Sequence, residues 1–192
     1  MPEATEQPLD PADVATMLAE ALDHRRCEYA IGGAIALGFW SEPRGTMDVD
    51  LTLFLSKDKP RQAIQQLRDI GCEVDEKSAI GTLSEHGFCR ARYAGLRVDV
   101  FVEAFSFYQT AKRRRVRVLL RNREVMILDA ETLCVFKMMF FREKDFLDIK
   151  GMMRDRGPSL NRSFVREQLI EICGPRDPRI IRWDEIVAEN PA

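Results

Sequence analysis

Asp48 and Asp50 stand at alternate positions in Met47-Asp48-Val49-Asp50-Leu51-Thr52-Leu53-Phe54-Leu55, a mostly apolar run, and a Gly32-Gly33 pair lies upstream. Successive side chains of an extended strand point to opposite faces. The two carboxylates therefore project together while Met47, Val49, Leu51, Leu53 and Leu55 face a core. Like charges so close repel unless a cation lies between them. Oxygen ligands alone suit Mg²⁺, with Mn²⁺ as the alternative, and such an ion keeps positions for water and substrate phosphates. A third carboxylate, Asp99, interrupts the β-branched run Leu96-Arg97-Val98-Asp99-Val100-Phe101-Val102. Two-metal sites hold their ions about 3.5–4 Å apart and clamp the attacking and leaving oxygens of an in-line displacement. Three carboxylates on two neighbouring strands can supply ligands for that arrangement.

These residues need elements to carry them. Asp10-Pro11 reads as an N-cap and first helical residue, and Val14, Met17, Leu18, Ala21 and Leu22 follow at helical spacing. Glu28 to Ile31 reads as a short strand, Gly32-Gly33 as a turn, and Ala34 to Trp40 as a short helix that Ser41-Glu42-Pro43 ends. After the aspartate strand, Lys59 to Ile70 reads as a helix closed by Gly71. Extended runs are expected at Ala79–Leu83, Phe88–Tyr93 and Arg97–Val102. A hairpin is expected from Val116–Leu120 and Glu124–Leu128, turning at Arg121-Asn122-Arg123. From Ala130 to Arg156 the period is helical, and Asn161–Ile172 and Pro178–Glu189 read as two more helices. The expected fold class is mixed α/β (α+β): a twisted mixed sheet flanked by helices over residues 1–128, then a helical region over 129–192.

Composition narrows the function classes. The chain has 192 residues, 31% charged and 45% hydrophobic, the balance of a globular protein. No apolar run approaches a membrane span. Residues 1 to 10 are acidic and contain proline, without the basic start and apolar middle of a secretory signal, so a cytoplasmic location is expected. Five scattered cysteines without a C-x-x-C pair read as reduced thiols packed as small hydrophobes, Cys27 and Cys134 among them in the interior, rather than as zinc ligands. A net charge of −2 argues against a protein that coats nucleic acid, while leaving room for a local basic surface.

The string Ile31-Gly32-Gly33-Ala34-Ile35-Ala36-Leu37-Gly38, followed by Arg44-Gly45-Thr46-Met47-Asp48-Val49-Asp50-Leu51, resembles the nucleotidyltransferase superfamily typified by DNA polymerase β. That superfamily carries a glycine pair, a carboxylate-x-carboxylate and a separate third aspartate. Within it the chain is similar to a small bacterial group that includes AbiEii-like toxin nucleotidyltransferases and antibiotic adenylyltransferases, in which Arg-x-Thr precedes the paired aspartates. Lys137, Arg142, Lys144, Asp145 and Asp148 match a downstream run of the toxin-like members. The resemblance implies that Asp48, Asp50 and Asp99 hold the metal ions. It also implies that Asp99 helps deprotonate an acceptor hydroxyl and that Gly32-Gly33 cradles a triphosphate. Arg44, Thr46, Lys137, Arg142 and Lys144 are the remaining nucleotide-binding candidates. The implied reaction is Mg²⁺-dependent transfer of a nucleoside monophosphate from a nucleoside triphosphate to an RNA 3′ end, a protein or a small molecule. A toxin role with a cognate antitoxin is also implied. The alternative is an inactive nucleotide-binding or partner-binding module.

Two further patterns carry competing readings. Lys137, Phe141, Lys144 and Asp148 fall at i, i+4, i+7 and i+11, so one continuous helix would line them on one face, as a phosphate contact or as a polar stripe. Lys112-Arg113-Arg114-Arg115 with Arg117, Arg121 and Arg123 is either a solvated hairpin edge or a surface for an RNA acceptor. Phe105 and Tyr108, just upstream, either stack on bases or belong to the core.

Overall fold

The computed structural model describes residues 8–191. The acidic start that bears on secretion, residues 1–7, lies outside the described residues. Helix α1 (Pro11–His24) begins where the sequence predicts. The Asp10 carboxylate accepts from the Asp13 N–H (2.9 Å), the Asp13 carboxylate accepts from the Asp10 N–H (3.0 Å), and Pro11 occupies the first turn. Then come β1 (Tyr29–Ile31), α2 (Gly33–Leu37), β2 (Asp48–Ser56), α3 (Pro60–Asp69), α4 (Glu76–His86), β3 (Phe88–Tyr93) and β4 (Leu96–Glu103). The rest of the chain forms α5 (Phe107–Arg114), β5 (Val116–Leu120), β6 (Arg123–Ile127), α6 (Ala130–Phe140), α7 (Glu143–Arg156), α8 (Arg162–Cys173) and α9 (Pro178–Glu189).

The six strands form one mixed sheet in the order β3-β4-β2-β1-β6-β5, in keeping with the expected α/β class. β2 runs parallel to β4 and antiparallel to β1, β1 runs parallel to β6, and β3 and β5 close the two edges as antiparallel partners. Alternation sorts the two central strands. Val49, Leu51 and Leu53 of β2 and Val98, Val100 and Val102 of β4 are fully or almost fully buried, and α1 and α3 pack against β2. The opposite face of the same strands carries Asp48, Asp50, Arg97 and Asp99. Met47 does not join the core: it precedes the strand and is 81% exposed, while Leu55 is half-buried. Cys134 is buried and Cys27 only half-buried.

Three expectations are corrected. Ala79–Leu83 is helical, inside α4. Asp75 caps that helix by accepting from the Lys77 N–H (3.2 Å), Gly87 ends it at φ 66°, and the buried pair Ala79 and Leu83 follows the i, i+4 helical spacing. Phe107–Arg114, for which no element is expected, forms α5 and buries Phe107, Tyr108 and Ala111. The helical period over 130–156 belongs to two helices, because Phe141 adopts the left-handed region (φ 58°) and donates its N–H to the Lys137 carbonyl (3.0 Å), and Arg142 is extended. After Ile127 no strand follows among the described residues.

Candidate active site

The β2–β4 register places Asp50 beside Asp99 and Asp48 beside Arg97. Three carboxylates and one guanidinium thus form a square patch on one sheet face, and the i, i+2 alternation of each strand is what brings them together. Gly32 and Gly33 lie against this patch. The Gly32 N–H donates to the Asp50 carbonyl (2.8 Å), extending the β1–β2 pairing into the turn. Gly33 has φ +55°, and a Cβ there would fall inside the Asp50 carboxylate. Gly33 is therefore needed by a catalytic candidate's own side chain as well as by any phosphate. Since the Gly32 N–H is used by β2, phosphate contact from this turn falls to the N–H groups that open α2, which have no intrahelical partners.

Thr46 orients the first aspartate: its hydroxyl donates to Asp48 Oδ1 (2.6 Å). Arg44 instead anchors the loop that bears them both, since its guanidinium makes a two-pronged contact with Asp148 of α7 (Nε–Oδ1 and Nη2–Oδ2, both 2.9 Å). Asp155, two turns further along α7, holds the same loop by accepting from the Ser41 hydroxyl (2.8 Å) and the Glu42 N–H (3.1 Å). The loop from Gly38 to Met47 is thereby strapped to α7, with Thr46 and Asp48 at its far end.

The break at Phe141 decides where the downstream cations go. In an unbroken helix Lys137 and Asp148 would be separated by roughly 16 Å along the axis, yet Lys137 Nζ donates to Asp148 Oδ2 at 2.6 Å. Lys137 also lies 3.7 Å from Asp145, and Arg142 grips Asp145 with two bonds (2.6 and 3.2 Å). Lys137, Asp145 and Asp148 are all buried. Two buried carboxylates thus hold three cations, Arg44, Lys137 and Arg142, in one wall of the cleft, with a net positive balance facing the three aspartates. Lys144 lines the same cleft from the exposed face of α7. Lys137 and Lys144 do reach one site, but through the bend and not along a common helix face.

The electrostatics of the aspartates differ residue by residue. Burial, reinforced by the charges of Asp48 and Asp99, pushes Asp50 up to about 6, against the pull of Lys137 and Arg142. Burial also raises Asp99, although Arg97 opposes it. For Asp48 the burial penalty is outweighed by the Thr46 hydrogen bond and by Arg97, which hold it below the ordinary carboxylate range. Arg97 is the residue that sequence reasoning missed. Its guanidinium makes an ion pair with Asp48 and lies 3.3 Å from Asp99 Oδ1, with Arg90 of β3 at 3.7 Å from the same oxygen. Its position two residues before Asp99 on a strand is the signal that could have found it.

Among the described residues no group of three His, Cys, Asp or Glu side chains is drawn together tightly enough to hold a metal as it stands. The donor set nonetheless fits a hard cation. Asp99 Oδ1 is buried and makes no hydrogen bond, with Arg97 and Arg90 at 3.3 and 3.7 Å, and Asp50 resists ionisation because it is buried and its neighbours are negative. A cation among the three carboxylates would relieve both, with Arg97 turned out of the gap. The cleft they share with the cationic wall has a volume of about 430 Å³, in the range of a small-molecule or nucleotide site.

Comparison with solved structures agrees with this architecture. A solution structure of the antibiotic-resistance factor ANT(2'')-Ia superposes with a TM-score of 0.53 at 14% identity over 93% of each chain. A crystal structure of ANT(2")-Ia in complex with adenylyl-2"-tobramycin superposes with a TM-score of 0.54 at 16% identity, over 84% of this chain and 95% of that one. The chain shares the fold of ANT(2'')-Ia. The lincosamide antibiotic adenylyltransferase LnuA, bound to lincomycin, matches more loosely, with a TM-score of 0.48 at 14% identity over 69% of this chain and 90% of that one. No protein-family model and no curated protein matches the chain. No helix among the described residues is long and apolar enough to cross a membrane.

The Lys112–Arg123 stretch is not one surface. Lys112, Arg113 and Arg114 end α5, whereas Arg117, Arg121 and Arg123 belong to the β5–β6 hairpin. Six of the seven are paired with carboxylates: Lys112 and Arg115 with Glu28, Arg114 with Asp129 (2.5 Å) and Glu131 (2.9 Å), Arg117 with Glu124 (2.8 Å), Arg121 with Asp10, and Arg123 with Glu20 (2.7 Å). Arg113 donates to the Thr110 hydroxyl (3.2 Å). Phe105 and Tyr108 pack on each other (5.0 Å between centroids) and on Phe136, on the side of the cleft rather than beside the hairpin.

Proposed function

We propose that this chain is a nucleotidyltransferase that uses a divalent cation, Mg²⁺ or Mn²⁺, to move a nucleoside monophosphate from a nucleoside triphosphate to an acceptor hydroxyl. The observation that carries the reading is the pairing of two walls in one cleft: Asp48, Asp50 and Asp99 on the sheet, and Lys137 of α6, Arg142 of the break and Lys144 of α7. One wall suits metal ions and the other suits phosphate oxygens. A metal bound by the aspartates would neutralise charge on the phosphates and on the attacking and leaving oxygens. Arg44 and Thr46 act through position: Arg44 fixes the loop to α7 and Thr46 aims Asp48. Lys137 and Arg142, prearranged by Asp145 and Asp148, face the phosphates of the leaving group, and the N–H groups after Gly32 approach them from the other side. Asp99 would take the proton from the acceptor hydroxyl, the role that the resemblance implies, with Arg97 and Arg90 at 3.3 and 3.7 Å from its Oδ1. Electrostatic preorganisation and positioning are the main levers in such transfers.

Among the acceptors that the resemblance leaves open, the neutralised Lys112–Arg123 stretch gives an RNA less support than a small molecule. A protein acceptor, a toxin role and a cognate antitoxin rest on the resemblance alone. Incubating the chain with each α-³²P-labelled triphosphate and Mg²⁺, with and without total cellular RNA or a small-molecule extract, tests the reading. Label should pass to an acceptor in the wild type and not in Asp50→Asn. Equal transfer by both would remove the carboxylate site.

A further inference from the structure

Beside the cleft lies a second chamber of about 380 Å³. The two share Asp50, Asp99, Arg142 and the rings of Phe101, Tyr108, Phe136 and Phe140; the chamber adds Phe88, Phe105, Arg90 and Ala104, and touches neither the Gly32-Gly33 turn nor Lys137 or Lys144. Its walls are aromatic: Phe88, Phe101, Phe105, Tyr108, Phe136 and Phe140. They form two connected runs, Phe88–Phe101–Phe140 (5.2 and 5.5 Å between centroids) and Phe105–Tyr108–Phe136 (both 5.0 Å). Cations already sit over two of these rings, Arg90 over Phe88 (5.9 Å) and Arg142 over Phe140 (4.7 Å). Phe140, which lines both spaces, is a large apolar side chain left 44% exposed.

In-line displacement sets the direction of approach. The leaving pyrophosphate belongs with Lys137, Lys144 and the glycine turn, none of which lines the chamber, so the attacking oxygen arrives from the chamber side of Asp50 and Asp99, past Arg142, which lines both spaces. Charge then selects among acceptors. Apart from the two shared aspartates, the charged or chargeable side chains in the chamber are Arg90, Arg142 and His86. A polyamine or aminosugar would meet two guanidinium groups there, and with a cation held by Asp50 and Asp99 the chamber has no carboxylate left to offset that repulsion. A flat apolar body would stack on the rings instead.

Building on the nucleotidyl-transfer reading above, we propose that this chamber is the acceptor site and that the acceptor is a small hydroxyl compound with an aromatic or flat apolar body and no positive charge. The hydroxyl oxygen forms a bond to the α-phosphorus as the bond from that phosphorus to the pyrophosphate oxygen breaks. Its proton passes to Asp99, and pyrophosphate leaves with the electron pair.

The test uses the full chain with Mg²⁺ and α,β-methylene-ATP, which occupies the nucleotide site without turnover. Two neutral aromatic alcohols, 2-(2-naphthyl)ethanol and 2-(4-hydroxyphenyl)ethanol, and the polycation tobramycin are then titrated by calorimetry. At least one alcohol should bind and tobramycin should not. Two substitutions confined to the chamber, Ala104→Trp to fill it and Phe88→Ala to strip one wall, should each weaken the alcohol by roughly tenfold or more. Both should leave the affinity for the ATP analogue unchanged, which also reports that the variant is folded. Tighter binding of tobramycin than of either alcohol overturns the assignment, as does failure of both alcohols or alcohol binding that ignores both substitutions. Loss of analogue affinity in both variants, with alcohol binding kept, would give the chamber to the nucleotide base. Absence of binding to the wild type by the α,β-methylene analogues of ATP, GTP, CTP and UTP alike would instead remove the nucleotide reading, and the acceptor assignment with it.

Discussion

Asp50 concentrates the chemistry of the site at the scale of a single residue. Its folded-state pKa of about 6 lies above the ordinary 3.8. Its contribution to the stability of the metal-free protein is therefore fully present below about pH 3.8 and is lost as pH rises through about 6, a penalty on the order of 2–3 kcal/mol at neutral pH. Asp50→Asn should therefore melt above the wild type in EDTA at pH 7.5, with the gap shrinking toward pH 4.5. Mg²⁺ should stabilise the wild type and not the variant. Thermal unfolding across that pH range checks this, and a gap that stays constant with pH would contradict the repulsion among the three aspartates. Arg97 makes the complementary prediction. Because its guanidinium lies against Asp48 and Asp99, where a cation would compete with it, Arg97→Ala should tighten Mg²⁺ binding to the free protein. Titration calorimetry decides the matter, and weaker Mg²⁺ binding would show that Arg97 supports the metal site instead of competing for it.

At the scale of elements, the Gly33 turn and the α6–α7 break place the site. A Gly33→Ala side chain would collide with the Asp50 carboxylate in a left-handed backbone, so it should lose stability and Mg²⁺ affinity together, with the strain alone costing about 1–2 kcal/mol. Intact Mg²⁺ affinity in the folded variant would separate the turn from the metal site. Asp148→Ala leaves Lys137 buried without its nearest carboxylate and frees Arg44, and should cost about 3–5 kcal/mol by denaturant unfolding. How far these elements were legible depended on how local their signals are. Asp10-Pro11 and the alternation around Asp48 and Asp50 announce α1 and β2, and the two-residue turn at Arg121-Asn122, both at positive φ, joins the expected hairpin. Nothing local marks Phe141 as a left-handed cap, since a non-glycine residue there is held by contacts such as its packing on Phe146 (5.1 Å), which bring together residues from both helices. Ala79–Leu83 is ambiguous over five residues, and only the flanking caps at Asp75 and Gly87 resolve it. Arg97 was legible in position but not in role, because its partner Asp48 lies on another strand.

For the whole molecule, the distribution of charge decides what kind of partner fits. The basic residues of the Lys112–Arg123 stretch are spread over α5 and the β5–β6 hairpin and are mostly consumed by carboxylates: Glu28 before β1, Asp10 and Glu20 of α1 and its cap, Glu124 of β6, and Asp129 and Glu131 at the start of α6. Any binding to single-stranded RNA should thus be weak and depend on salt with a slope well short of the about −0.7 per phosphate expected of seven free cations. Replacing Arg113, Arg114 and Arg115 with serine should lower stability, since Arg114 bridges Asp129 and Glu131, more than it changes RNA affinity. A steep salt slope in a filter-binding assay, flattened by that triple variant, would restore the stretch as a nucleic-acid surface. The parallel β2–β4 pair, the two helices bent at Phe141 and the strapped loop from Gly38 to Met47 meet at one cleft, so the fold spends its structure on opposing a carboxylate wall to a cationic one.

The central claim is transfer of a nucleoside monophosphate, and the position of the label tests it most directly. The chain is incubated with Mg²⁺, a small-molecule extract and triphosphate labelled at the α- or the γ-phosphorus in parallel, in the wild type and in Asp50→Asn. The α-label should appear in an adduct and the γ-label in pyrophosphate, at equal rates, with neither in the variant or in EDTA. Transfer of the γ-label to the acceptor, or release of both labels without an adduct, would contradict nucleotidyl transfer.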